Sequence, residues 1–311
     1  MIATVTLNPS LDEWVQLPRL LPGRLNRATG FRRDPGGKGL NVSRVVHTLG
    51  GKTAALTFLG GEDGHVLRAL VERLGIPLHA VSIAGTTRNN YKLRTARPLA
   101  TTEINTTGPR VSAENLRQLQ RRLFACRPAP RCVVLSGSLP PGVPAQIYAR
   151  WIRRLRRAGL WSVLDASGEA MRQGVAARPW LVKPNLEEAE ELLGRPITHR
   201  GLVAAVRRLA ALGPEIVLLS LGQDGAVLGT ARETSVWWAK APVIRPQGAV
   251  GAGDAMVGGF VLGWLRSGNL RAAMRLGVAC GTATAMAPGT QLARRADVYR
   301  LLPRVAIRKI A

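Results

Sequence analysis

Short β-branched runs alternate with segments of helical period along most of the chain, and this alternation constrains the fold more than any other feature. Ile2 to Leu7, Thr53 to Leu59, Leu78 to Ile83, Cys132 to Ser136, Trp161 to Asp165, Leu181-Val182 and Glu215 to Ser220 read as buried strands. Helical patterns follow at residues 39–49, 64–74, 145–158, 169–174, from Leu186 onward, and at 202–212. Ala226 to Gly229 and Ser235 to Lys240 are further strands, and helices at 252–266, 270–286 and 297–302 close the chain. Parallel neighbours need a long crossover, which a helix supplies. The expected fold is therefore α/β, a doubly wound, mostly parallel sheet with helices on both faces.

Two stretches break the alternation. Residues 13–34 and 89–106 carry short, polar-alternating strands and no helical period. The first is read as strands at Trp14 to Leu17 and Arg24 to Arg33, the second as a hairpin. Together they predict a small β-sheet lid inserted into one domain spanning residues 1–311. Trp14, Val15, Leu17, Leu25, Tyr91, Leu93 and Ile104 would give that sheet one apolar face. Such a face must cover a ligand or meet a second copy, since a few strands bury too little surface alone.

Charge raises a rival class. The chain carries 44 Lys and Arg against 19 Asp and Glu, a net +25, which invites nucleic-acid binding through phosphate neutralisation. The arginines are spread, however, in pairs such as Arg121-Arg122, Arg153-Arg154, Arg156-Arg157 and Arg207-Arg208 on amphipathic helices, which reads as solvated faces. Nucleic acid is thus a disfavoured partner, and the positive field suits anionic small molecules instead. The longest apolar run, Ala255 to Leu265, is too short to span a bilayer, so no membrane is expected. With no signal peptide read at the start and no CxxC pair, Cys126, Cys132 and Cys280 read as buried thiols in a reducing cytoplasm.

The chemistry concentrates in glycine-rich turns before helices. In Gly251-Ala252-Gly253-Asp254 the glycines let an anion approach the backbone, and the helix dipole favours it there. Asp254 would repel that anion, so it suits another task, taking a proton from a nucleophilic hydroxyl. Read alone, the tetrapeptide could equally be a turn whose Asp caps the helix. Pro35-Gly36-Gly37-Lys38-Gly39-Leu40-Asn41 opens a helix in the same way with a lysine inside it, yet it is not a Walker A loop. No Gly-x-Gly-x-x-Gly accompanies either turn. Asp12 follows the first strand, where α/β proteins place ligand contacts.

These turns occur in a longer series of motifs. Thr6-Leu7-Asn8-Pro9, Gly23-Arg24-Leu25-Asn26-Arg27, Gly36 to Arg44, Thr87-Arg88-Asn89-Asn90, Thr102-Glu103-Ile104-Asn105 and Ser136 to Gly142 come first. Asp165 to Ala170, Lys183-Pro184-Asn185-Leu186-Glu187-Glu188, Ser220 to Ala226 and the Gly251–Asp254 loop complete it. In this order the chain resembles the ribokinase-like, PfkB-type carbohydrate kinases, in their hexose-phosphate branch, nearly from end to end. The resemblance implies ATP- and Mg²⁺-dependent phosphorylation of a ketohexose phosphate. Fructose 1-phosphate going to fructose 1,6-bisphosphate leads; tagatose 6-phosphate or fructose 6-phosphate is the alternative acceptor.

The resemblance also implies roles. Asp254 would be the general base, with Gly251, Ala252 and Gly253 forming the anion hole. Asp12, Gly37 and Asn41 would contact the sugar; Arg27, Lys38, Arg88 and Ser138 would meet the phosphate it already carries. Lys183, Asn185, Ser220, Gly222 and Gly225 would bind ATP, with Ala279 to Thr290 walling the adenine. Asn185 and Glu188, three apart on one helix face, would organise Mg²⁺ through water. Lids would pair into a homodimer. Gly248 and Ala249 bring no side-chain oxygen where the family usually has two, so K⁺ activation is not carried over. Ala166 likewise stands where a threonine is common.

Overall fold

The computed structural model describes residues 1–311. Fourteen strands fall into two sheets. The chain begins with β1 (Ile2–Thr6), enters the smaller sheet through β2 (Ser10–Leu17) and β3 (Gly30–Gly36), and returns through α1 (Lys38–Thr48). It continues with β4 (Thr53–Leu59), α2 (Gly61–Arg73) and β5 (Leu78–Ser82), and revisits the smaller sheet with β6 (Arg88–Thr95) and β7 (Ala100–Asn105). Next come α3 (Ala113–Ala125), β8 (Cys132–Ser136), α4 (Ile147–Arg157), β9 (Trp161–Asp165), α5 (Gly168–Ala176) and β10 (Leu181–Val182). These are followed by α6 (Leu186–Leu193), α7 (Leu202–Ala211), β11 (Ile216–Ser220), β12 (Ala226–Thr230) and β13 (Trp237–Lys240). The last elements are α8 (Ala252–Ser267), α9 (Leu270–Ala285), α10 (Arg295–Leu301) and β14 (Ala306–Lys309).

The large sheet has the order β14-β13-β12-β11-β10-β9-β8-β1-β4-β5. All pairs from β11 to β5 are parallel, and β12, β13 and β14 extend the edge antiparallel. The chain runs outward from β1 to β5, then restarts at β8 on the other side of β1. That reversal is a topological switch point, where the loops after β1 and β8 part and leave a crevice.

Apolar clusters lie on both faces of this sheet, one against α3 to α7 and the other against α1, α8, α9 and α10. The threonines that interrupt the strands are buried but satisfied. Thr4 shares a hydrogen bond of 2.7 Å with Ser43 of α1, and Ser43 another of 2.8 Å with Thr53. Buried hydroxyls cost little once paired, so they pin α1 to β1 and β4. Gly39 lets the helix come this close, because a Cβ there would sit 2.9 Å from the Val5 carbonyl.

The smaller sheet has the order β3-β2-β6-β7, with β2 and β6 parallel and the outer pairs antiparallel. Three details differ from the sequence reading. Its first strand starts at Ser10 rather than at Trp14, because Ser10 already pairs with Gly36 and Arg88. Arg24 to Thr29 form a loop, not a strand. Trp14 and Val15 cannot share a face, since neighbours in a strand point oppositely. Trp14 is buried, with its ring where a Cβ on Gly289 would meet it at 2.9 Å. The outer face is instead Val15, Phe31, Leu93, Tyr91 and Ile104, joined by register. Phe31, absent from the predicted set, is 58% exposed there.

One helix enters the sequence reading only through its Arg121-Arg122 pair, without bounds, and one strand escapes it. Helix α3 was legible from Ser112 and Asn115, which form a capping box, and from Leu116, Leu119 and Leu123 on its buried side. Strand β14 was not, because Ala306-Ile307-Arg308-Lys309 is strand-like only beside β13.

Candidate active site

Residues from β1, α1, β6, β9, the β10–α6 turn and α8 converge at the C-terminal edge of the large sheet. Gly251, at φ 76°, turns the chain into α8, and a Cβ there would lie 2.7 Å from Leu292. No side chain caps this helix. The Ala252 N–H is taken by the Ala249 carbonyl at 3.2 Å, so the open donors at the mouth are those of Gly253 and Asp254. The Lys183 ammonium lies against the same turn, 3.5 Å from where a Gly253 Cβ would be. By contrast the start of α1 is closed. Thr6 Oγ1 accepts the Leu40 N–H at 3.0 Å, so Gly36-Gly37-Lys38 holds a lysine and a tight backbone more than an open anion hole. Gly37 is obligatory there, at φ 113° with Thr6 Cγ2 2.7 Å from any Cβ.

Asp254 is buried and receives the Asn41 amide, Nδ2 to Oδ2, at 2.8 Å. Burial, and then the negative charge of Asp165, push its carboxyl up to about 6, while Lys38, the Asn41 amide and Lys183 pull the other way. Asp165 ends β9, fully buried, and anchors both lysines: Lys38 Nζ at 2.9 Å and Lys183 Nζ at 3.6 Å from Oδ1. Burial alone would raise its pKa, but the two ammonium groups hold it below the usual value. Its Oδ2 has no partner. For Lys38, burial acts downward, yet Asp165, Asp254 and Glu188 keep it above its ordinary value.

Further along the crevice, Asp12 accepts from Ser10 Oγ at 2.9 Å and Asn90 Nδ2 at 3.2 Å, and burial raises its pKa. Arg88 donates to the Asn8 carbonyl at 3.1 Å and to Asn90 Oδ1 at 3.3 Å, while Asn8 Nδ2 donates to Ser138 Oγ at 3.1 Å. Asp12, Arg88 and Ser138 thus form one group around the end of β1. Arg27 does not join it; it is exposed on the loop between β2 and β3.

On the other side of Asp165, Asn185 is the N-cap of α6, not a residue on its face. It and Glu188 form a reciprocal capping box, at 2.7 and 2.9 Å. The Asn185 oxygen is therefore spent on the helix, and the oxygen left facing the crevice is Glu188 Oε1, 3.9 Å from Lys38 Nζ. Ser220 bridges to Asn185 and donates to the Pro184 carbonyl at 3.3 Å. Gly222 and Gly225, at φ 58° and 89°, shape the following turn, beside a cleft of about 390 Å³ that Asn185, Ser220 and Gly222 help to line. Ala279 to Ala285 end α9, and the segment after it reaches the smaller sheet instead of only walling a cleft: Thr290 Oγ1 donates to Asp34 of β3.

Asp165, Asn90, Arg44 and Asp34 carried no role in the sequence reading. Asp165 had the clearest signal, a lone acid closing the apolar run Trp161-Ser162-Val163-Leu164 at the end of a parallel strand. No helix is long and apolar enough to cross a membrane, and all three cysteines are free and buried.

Residues 6–296 match the pfkB family carbohydrate kinase pattern. The chain is 39% identical over 262 residues to a 1-phosphofructokinase of Xanthomonas campestris pv. campestris, covering 83% of this chain and 82% of that protein. It is 36% identical over 301 residues to the ATP-dependent 6-phosphofructokinase isozyme 2 of Mycobacterium tuberculosis, covering 96% and 88%. The crystal structure of phosphofructokinase-2 from Escherichia coli in complex with potassium superposes with a TM-score of 0.91 at 30% identity, covering 97% of this chain and 98% of that one. An α/β sheet of this topology, a second small sheet and matches of this extent establish the expected ribokinase-like fold, and the chain belongs to the pfkB family of carbohydrate kinases.

Proposed function

We propose that this chain transfers the γ-phosphoryl group of ATP to a ketohexose phosphate, with fructose 1-phosphate as acceptor and fructose 1,6-bisphosphate as product. One observation carries the reading: a buried carboxylate of raised pKa, Asp254, stands beside free backbone donors and two lysines held by one aspartate. Asp254 takes the proton of the attacking hydroxyl, and the Gly253 and Asp254 N–H groups receive the transferring phosphoryl. Lys183 and Lys38 neutralise charge as it moves. Since Lys38 turns toward Asp165, the phosphate already on the sugar falls to Arg88 and Ser138, with Asp12 and Asn41 on its hydroxyls. A bidentate guanidinium suits that dianion. The Ser220–Gly225 turn borders the nucleotide.

Mg²⁺ would shield the phosphate charges when bound. Glu188 Oε1 fits as an outer ligand through water, with Asn185 fixing its carboxylate. No cluster of three or more acids, histidines or cysteines exists to cage a metal, which agrees with an ion that keeps its waters and leans on phosphates. Gly248 and Ala249 supply no side-chain oxygen, so we infer an enzyme that works without K⁺. Three buried thiols fit a cytoplasmic setting.

The rival acceptor, fructose 6-phosphate, gains weight from the 36% identity to a 6-phosphofructokinase. An ADP-release assay over fructose 1-phosphate, fructose 6-phosphate, tagatose 6-phosphate and free fructose decides, and its rate should survive replacement of K⁺ by Na⁺. In that assay Arg88→Ala should raise the sugar-phosphate KM about ten- to a hundredfold, the loss of one charge-assisted hydrogen bond, with the ATP KM within twofold. Equal rises would move Arg88 to the nucleotide. Turnover of free fructose alone would refute the phosphate-bearing acceptor.

We further infer one kinase domain over residues 1–311 whose smaller sheet is a lid, its inner face on the crevice and its outer face against a second copy. The outer face supports this, because Phe31 and Ile104 are 58% and 50% exposed beside Val15, Leu93 and Tyr91. Light scattering at micromolar concentration should give twice the 33.4 kDa chain mass, and Phe31→Asp with Ile104→Asp should halve it. A wild-type monomer with full activity would refute the pairing alone. Trp14 is not a test site for it, being on the inner face.

A further inference from the structure

An amide can face a carboxylate with its NH₂ or its oxygen, and only the first attracts. For Asn41, whose Nδ2 meets Asp254, something must decide between them. Arg44, three residues along α1, donates Nη1 to Asn41 Oδ1 at 3.1 Å and to the Pro35 carbonyl at 2.9 Å. A guanidinium has donors only, so the amide oxygen must turn to Arg44 and the NH₂ to Asp254. The second arm of Arg44 lies 3.8 Å from Asp34, a carboxylate that also accepts from Arg32 at 2.6 Å and from Thr290. With its side chain only 12% exposed, Arg44 has few alternative conformations.

We propose that Arg44 is a positioning residue for phosphoryl transfer: it orients the Asn41 amide, which holds the Asp254 carboxylate toward the acceptor hydroxyl, and it ties that arrangement to Asp34 in the smaller sheet. The proposal rests on the reading of Asp254 as the base. Arg44 makes no hydrogen bond to Asp254, so its effect on that carboxylate passes through Asn41 and through charge. Its own guanidinium is pushed down by burial first, and Asp34, Asp12 and Asp254 offset this, which places it in the same electrostatic group. The charged groups facing Asp254 are Asp165 from β9, Lys38 and Arg44 from α1, and Lys183 after β10.

The test is the pH profile of kcat/KM for the sugar phosphate in Arg44→Met, measured beside Asp254→Asn. Losing a positive neighbour and freeing the amide should move the acid limb upward by about one pH unit, because both changes favour the protonated carboxyl. At neutral pH kcat should fall about tenfold, with the ATP KM within twofold. General loosening of the fold would lower the rate without moving that limb. An unmoved limb beside an inactive Asp254→Asn overturns the role of Arg44 and leaves the base assignment standing. An active Asp254→Asn overturns both. Should Arg44→Met not fold, Arg44→Lys keeps the charge but cannot reach Pro35, Asn41 and Asp34 together. A smaller upward displacement is then expected, and none would overturn the proposal.

Discussion

Asp254→Asn is expected to cut kcat by about 10²- to 10⁴-fold while ATP and sugar phosphate still bind within a few-fold of the wild type. The amide keeps the shape but cannot accept the hydroxyl proton. The wild type should show the complementary pH dependence. A base works only when deprotonated, and burial together with Asp165 pushes this carboxyl up to about 6. The kcat/KM profile reports the free enzyme, so it should fall as pH drops through about 6. A variant that retains more than a tenth of the wild-type kcat would end the assignment.

The second large effect is on stability. Asp165→Asn removes the one charge that pairs with Lys183, whose side chain is 5% exposed, and the nearer of the two that pair with Lys38, which is 35% exposed and keeps Glu188 at 3.9 Å. Breaking a buried pair costs about 3–5 kcal/mol, most of it here from Lys183, since the partly exposed Lys38 can be rehydrated. The denaturant midpoint should drop with its slope unchanged. The sign with pH follows from the lowered carboxyl: its contribution is complete above the unfolded value of about 3.9 and is lost as pH falls through the folded value. The two stabilities should therefore converge in acid. Removing Asp165 also removes a charge that raises Asp254, so the acid limb of kcat/KM should move below 6. An unchanged midpoint at neutral pH would show that the lysines find other partners.

Elements of the large sheet were legible because each has its own short period: β4 was read with its observed ends, and α7 to within a residue. The lid boundaries were not, since polar alternation from Arg24 to Thr29 resembles a strand until pairing is tested, and only Gly30 onward finds a partner in β2. Apolar composition alone groups Trp14 with Val15 on the lid face, and strand geometry separates them. In the site, glycine turns marked where an anion could sit, yet could not tell the open turn at Gly253 from the one that Thr6 closes at Leu40.

Sequence by itself determined the α/β class, the two insertions, the kinase motifs and Asp254 as the candidate base, because these depend on local period and on residue types a few positions apart. Tertiary structure alone decided the electrostatics. Lys38 meets Asp165 across 127 positions, and Asn41 meets Asp254 across 213. Coulomb attraction and hydrogen bonding depend on separation in space and on burial, and neither is written in chain distance. The same residues spread through an unfolded chain would be solvated lysines and ordinary carboxylates. Packed at the end of one parallel sheet, they become a buried aspartate holding two lysines and a second, protonatable near neutrality, aimed by an arginine through an amide.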